Sequence, residues 1–157
     1  MTAIRDFCAI LIGEMKALEL MKTHVVKTTL DTTLSQAVDL MDLYYTNCLP
    51  VVDEAERICG LLTDQDVLAA VRQAMTDTPG SLVDATQAGN RRVAEYMQTA
   101  VSTVSEQDDV VTLLPVFITA NLERIPVLDD LHRVSGMLHR VDILQAIFEG
   151  QLDQAGA

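Results

Sequence analysis

Gly60-Leu61-Leu62-Thr63-Asp64-Gln65-Asp66 closes an apolar run and opens a polar one, and the change decides the fold. The apolar run predicts a short buried strand, and Thr63 follows where an N-cap would open a helix over Asp66 to Met75. At such a strand-to-helix junction the first helical N–H groups lack intrahelical partners. A hydroxyl and a carboxylate three residues apart project together from the first turn. One reading is a capping box, with Thr63 and Asp66 serving only the backbone. The other is recognition of a vicinal diol, because each carboxylate oxygen can accept from a sugar hydroxyl while Thr63 donates or accepts.

The heptapeptide occurs twice. Gly136-Met137-Leu138-His139-Arg140-Val141-Asp142 stands 76 positions later, and the offset holds without a gap. Met21 matches Met97, Thr23 matches Thr99, Val25 matches Val101, Pro50 matches Pro126 and Asp53 matches Asp129. Arg57 and Arg133, Leu68 and Leu144, and Ala70 and Ala146 continue the series. The chain is an internal duplication.

Outward from the repeats, apolar residues at Ile4, Cys8, Leu11, Met15 and Leu18 draw one stripe along an amphipathic helix over residues 1–20. It serves either as a helix laid on its own domain or as a partner helix across a dimer. A strand is predicted around Val25-Val26, then a helix capped from Asp31-Thr32-Thr33 with the face Leu34, Ala37, Val38, Met41 and Tyr45. Cys48 to Val52 and Ile58 to Leu62 form an antiparallel hairpin whose turn is Asp53 to Arg57. Residues 21–75 thus make one domain in the order strand, helix, strand, strand, helix. Residues 76–90 read as a linker, from Thr78-Pro79-Gly80-Ser81 and Gly89-Asn90.

The second domain, residues 91–150, opens with a short helix over Arg91 to Met97 and repeats the order. Its strand is Val101 to Val104, its helix Asp108 to Ala120, its hairpin Ile125 to Leu128 with Val134 to Leu138, and its last helix Val141 to Glu149. Pro115 should kink or restart the helix it sits in, and residues 151–157 are a polar tail expected to fray.

Composition excludes several functions. A net charge of −12 with only 4% aromatic residues opposes both a phosphate-backbone footprint and base stacking, so nucleic acid is set aside. Cys8, Cys48 and Cys59 have no CxxC spacing and lie in apolar sequence, as free thiols of a reducing cytoplasm would. The early apolar run Phe7 to Ile12 is far short of a membrane span, and no signal peptide is read. His24, His132 and His139 are scattered, no HExxH motif or Gly-rich phosphate loop occurs, and the Asp pairs at 108/109 and 129/130 read as helix-start and turn residues. No enzyme activity, cofactor or metal site is expected.

Leu49-Pro50-Val51-Val52-Asp53 with Gly60 to Asp66, and Ile125-Pro126-Val127-Leu128-Asp129 with Gly136 to Asp142, resemble the cystathionine beta-synthase (CBS) domain in two tandem copies, a Bateman module. The likeness covers roughly residues 15–150. It implies an α/β (α+β) fold of two β-α-β-β-α repeats about a pseudo-twofold axis. It also implies clefts that bind adenosine-containing ligands, frequent homodimers, and regulation of a partner protein rather than chemistry. Carried over, the Thr-x-x-Asp of one repeat would hold a ribose while the first strand and pre-Pro segment of the other hold base and phosphates. Site one would then join Leu62, Thr63 and Asp66 to Ala100, Val101, Ser102, Arg124 and Pro126.

Arg124 stands two residues before Pro126, where sensing members carry an Arg, and its planar fork suits phosphate oxygens. The structural alternative is an ion pair with Glu123. Site two would join His139 and Asp142 to His24, Val25, Val26 and Cys48. There His139 replaces the hydroxyl residue and Cys48 stands where site one has Arg124, so this site should be weak, empty or used by an unphosphorylated adenosyl group unless His24 or Arg140 compensates. With one Arg in site one, AMP or ADP is favoured over ATP, and S-adenosylmethionine competes. The rival reading is a ligand-free scaffold for dimerisation or protein–protein interaction.

Overall fold

The computed structural model describes residues 15–77 and 86–155. Of the helix expected over residues 1–20, everything before Met15 lies outside the described residues; within them only Ala17–Leu20 is helical (α1), Lys16 before it is extended, and Leu18 is exposed, so the expected continuous stripe through Met15 and Leu18 is not formed. The chain divides into two compact units, Val26–Val101 on one side and Met1–Val25 with Ser102–Ala157 on the other. These units are offset from the sequence repeats, because the segment leading into each repeat is counted with the other repeat's strands.

Unit Val26–Val101 is built from β1 (Thr28–Thr29), α2 (Leu34–Leu43), β2 (Cys48–Val52), β3 (Ile58–Thr63), α3 (Asp64–Asp77), a 3-10 turn (Ala88–Asn90) and α4 (Val93–Tyr96). The sheet order is β1-β2-β3, with β1 parallel to β2 and β2 antiparallel to β3. Every residue of β2 is buried, which is why Cys48 to Val52 reads as a continuous apolar run rather than an alternating one. Leu34, Ala37 and Met41 close the core from α2, and Ala70 and Val93 from α3 and α4.

The second unit repeats this frame with β4 (Val104–Ser105), α5 (Val110–Ala120), β5 (Arg124–Leu128), β6 (Val134–His139) and α6 (Arg140–Ala155). Its sheet order is β4-β5-β6, over a core of Ala17, Val110, Leu113, Phe117, Ile125, Val127, Leu138 and Ile143. Both sheets slip register at the same repeat position, Val51/Val52 and Val127/Leu128. The duplication therefore holds at the level of backbone irregularity.

Several expectations are corrected. The first strands are Thr28–Thr29 and Val104–Ser105, shifted from Val25-Val26 and Val101 to Val104, because the parallel register pairs Thr28 with Val51 and Val104 with Val127. Val38 and Tyr45 do not belong to the buried face of α2. Val38 is 42% exposed, and Tyr45 is 92% exposed, beyond the helix end at φ 51°. Helix α3 begins at Asp64, directly after Thr63. Helix α5 runs through Pro115 unbroken; Val110, Leu113 and Phe117 bury the opposite stripe and Pro115 itself is exposed, so its ring does not disturb the core packing. Helix α6 runs Arg140–Ala155, past the end expected at Glu149.

The hairpin turns carry a repeated device. Asp53 accepts from the Ala55 and Arg57 amides and from Arg57 Nε at 3.0 Å; Asp129 does the same with Leu131, Arg133 and Arg133 Nε at 2.8 Å. These donors favour the ionised form, the backbone N–H of Arg57 or Arg133 foremost, and hold both carboxyls below the ordinary Asp value despite some desolvation. Glu56 and His132 take the left-handed conformation that closes each turn.

Candidate functional site

The end of β3 aims Thr63 at the opening of α3, and the local hydrogen bonds form the reciprocal cap that the Thr-x-x-Asp spacing predicts. Asp66 Oδ2 accepts from the Thr63 amide at 2.8 Å and from the Thr63 hydroxyl at 2.9 Å, and the Asp66 amide reaches back to Thr63 Oγ1 at 3.4 Å. The Asp64 amide donates to the Asn47 carbonyl, and in the second repeat Arg140 donates equivalently to Glu123. Both turns are therefore built on the same backbone.

Sequence reasoning missed the third member. Gln98 exchanges both backbone hydrogen bonds with Leu61, at 2.8 and 2.9 Å, along the edge of β3. That pairing delivers its side-chain amide to Asp66 Oδ1 at 3.1 Å and Oδ2 at 3.2 Å. A carboxylate has about four lone-pair positions, so Oδ1, which among the described residues takes a bond only from Gln98, retains accepting capacity. The Thr63 hydroxyl, having donated to Asp66, still accepts. The close pairing depends on Gly60, where a Cβ would lie 2.7 Å from the Gln98 carbonyl oxygen and 2.6 Å from Met97 Sδ. The glycine inside a predicted strand was the available signal, since such glycines mark close backbone approach.

In the other unit, Lys22 pairs with Met137 as Gln98 pairs with Leu61, again across a glycine, Gly136. The side chain delivered to Asp142 is thus an ammonium, with Nζ 3.9 Å from Oδ1. Asp142 Oδ2 is buried and accepts no hydrogen bond from the described residues. His139, opposite Arg124 in the β5–β6 register, is held below the ordinary imidazole value, first by desolvation and then by the charges of Arg124 and Lys22, which outweigh the opposing pull of Asp142.

The remaining predicted residues fall as follows. Leu62 and Pro126 are fully buried core residues, so they support the neighbouring backbone rather than present side chains. Ala100 is exposed and Val101 half-buried in unit Val26–Val101; Ser102, exposed, begins the next segment. Arg124 is half-buried at the start of β5, and Glu123 faces Arg140 at 3.6 Å. His24 is exposed and Val25 half-buried in the unit that holds His139 and Asp142, whereas Val26 packs on the core of the other unit and Cys48 is buried in β2.

The family model of the CBS domain matches residues 17–73 and again 93–149, well over half of the chain. The chain belongs to the CBS domain family. Among curated relatives, the CBS pair is 28% identical over 130 residues to an inosine-5'-monophosphate dehydrogenase of Methanocaldococcus jannaschii, covering 83% of this chain and 23% of that enzyme. Among solved structures it resembles the CBS domain pair of protein MJ0100 in complex with 5'-methylthioadenosine and S-adenosyl-L-methionine, at TM-score 0.69 and 22% identity over 87% of this chain and 98% of that one. It also resembles CBSX2 in complex with AMP, at TM-score 0.70 and 18% identity over 87% and 98%. At these identities the structures share the fold. Among the described residues the CBS pair has no group of three metal-ligating side chains, and no helix long and apolar enough to cross a membrane.

Proposed function

We propose that this CBS pair is a regulatory module that binds an adenosine-containing ligand, with AMP or ADP the best-fitting class. The observation that carries the reading is the Thr63–Asp66–Gln98 constellation, which leaves one carboxylate oxygen and one hydroxyl with spare accepting capacity at a half-buried helix start. A ribose offers two adjacent hydroxyls, and each can donate to one of these acceptors. The ligands in the MJ0100 and CBSX2 structures are adenosine compounds, which supports the same chemistry here. Arg124 is assigned the phosphate by family resemblance alone, and Arg124→Ala is a separate arm of the test. S-adenosylmethionine is the second reading, favoured by the chain's net charge of −12, although screening limits that field to about 8 Å at physiological salt.

The output of such a module is a shift in affinity for a partner protein, set by the ligand's differential affinity for two conformations. Thermal unfolding with AMP, ADP, ATP, S-adenosylmethionine and GMP tests the binding step. A ligand at a hundred times its Kd stabilises by about 2.7 kcal/mol, a rise of about 5–10 °C for a chain of this size. The expected result is a rise with an adenosine compound, none with GMP, and loss of the rise in Asp66→Ala. If no adenosine compound raises the midpoint, the sensor reading fails and the scaffold reading takes its place.

A further inference from the structure

The two units differ in how the groove between their two long helices is filled. In unit Val26–Val101, the 3-10 turn Ala88–Asn90 packs against both α2 and α3. Ala88 is buried there, and Gly89 lies close enough to Ser35 that an added Cβ would stand 3.3 Å from the Ser35 Cβ. Thr86, Ala88 and Gly89 form one wall of what remains, a cavity of about 220 Å³ that Val38 and Val67 also line.

The equivalent groove of the other unit, where α5 meets α6, holds a cavity of about 390 Å³ lined by Leu114, Phe117, Ile118, Ile143 and Leu144, with Asn121 and Arg140 as its polar members. Leu114 and Ile143 are the repeat equivalents of Val38 and Val67. No linker wall lines this groove among the described residues, and Ile118 and Leu144 are 80% and 44% exposed.

The chain nonetheless reaches both grooves in the same way. The Leu34 amide donates to the Arg91 carbonyl at the start of α2, and the Val110 amide donates to the Met15 carbonyl at the start of α5, each at 2.9 Å. Arg92 bridges to Thr33 as Lys16 bridges to Asp109. Met15 is the repeat equivalent of Arg91, so the residues just before Met15 correspond to the wall-forming linker: Ile10 to Thr86, Ile12 to Ala88 and Gly13 to Gly89. The glycine recurs at the position of close approach. The counterparts of Thr86 and Ala88 are both isoleucine, which suits the larger and more apolar cavity.

From this equivalence we propose that residues 4–14 dock along the α5–α6 groove of their own unit, Ile10 and Ile12 filling the cavity that the linker narrows in the other unit. The proposal goes beyond ligand sensing and is independent of it. Cys8, within the segment, reports on it.

The test is peptide-resolved thiol labelling of the full chain, with light scattering at each concentration. Cys8 should label at least tenfold more slowly than in the urea-unfolded chain, independently of protein concentration. Ile118→Asp and Leu144→Asp should abolish that protection, although both side chains would tolerate a charge if the groove were empty. Ile12→Asp, at the position equivalent to buried Ala88, changes the segment and leaves the groove intact, and should release Cys8 equally. Cys8 labelling at the unfolded rate in the wild-type chain overturns the proposal. Protection indifferent to all three substitutions overturns it by placing the segment elsewhere. Protection lost on dilution to monomer overturns it in favour of a second copy seated on the groove.

Discussion

Leu62→Ala is expected to destabilise the protein by about 2–5 kcal/mol, the usual range for truncating a buried leucine, and so to lower the melting midpoint by about 5–15 °C. Leu62 is fully buried on β3, in the core shared with Leu34, Leu49 and Ala70. Two terms add. The removed methyl groups lose their transfer free energy, and the cavity stays open because β2 is buried along its whole length and has little room to collapse. Leu68→Ala is the control: Leu68 is 59% exposed on α3, and its replacement should stay within about 0.5 kcal/mol of wild type. Equal losses for the two variants in urea unfolding would show that Leu62 is not the core residue described.

Gly60→Ala is expected to cost about 1–3 kcal/mol, the range for forcing atoms into a filled site, and more than Gly136→Ala. An added Cβ at Gly60 meets the Gln98 carbonyl oxygen at 2.7 Å and Met97 Sδ at 2.6 Å. The thioether can swing aside, but the carbonyl is fixed by its bond from the Leu61 amide. At Gly136 the closest atoms, at 2.4 and 2.8 Å, belong to the flexible Met21 side chain, and the Lys22 carbonyl oxygen is 3.1 Å away. Relief there is cheaper. Because the Gln98 backbone pairing is what brings its amide to Asp66, Gly60→Ala should also weaken any stabilisation by an adenosine ligand, beyond its effect on the unliganded midpoint. Equal destabilisation by the two substitutions would refute the distinction drawn from the carbonyl positions.

Much of this architecture is legible in the residues. The 76-residue offset, the hairpin Cys48 to Leu62, the cap at Thr63 and Asp66, and the repeat of all three at Arg124 to Asp142 follow from apolar runs and capping chemistry that act over a few positions. What escaped is what depends on long-range backbone pairing. Gln98 and Lys22 reach the two aspartates because their main chains bond to β3 and β6, and a backbone ladder leaves no mark in the side chains that form it. The pairs Gly60/Gly136 and Met97/Met21 carried the trace, as a small residue and a bulky flexible one recurring together, but only the sheet edge explains them. The strands Thr28–Thr29 and Val104–Ser105 were misplaced for a related reason: two paired residues in parallel register are too short for a periodic signal, and the valines beside them were the stronger β-formers.

The offset of the compact units from the repeats bears on how the chain acquires its structure during synthesis. Unit Val26–Val101 is one uninterrupted stretch, so all of it has left the ribosome once Val101 has. The other unit takes Met15 to Val25 from near the start and its strands from the last third. Lys22 can reach Met137 only by closing a loop over most of the chain, about three times the length that Leu61 and Gln98 close, an added entropic cost of about 1 kcal/mol. Until then the leading segment waits without its partner strand. Pulsed hydrogen exchange during refolding should accordingly protect the Leu61 and Gln98 amides before those of Lys22 and Met137, and simultaneous protection of the two pairs would mean that the halves of this duplicated chain fold as one cooperative event.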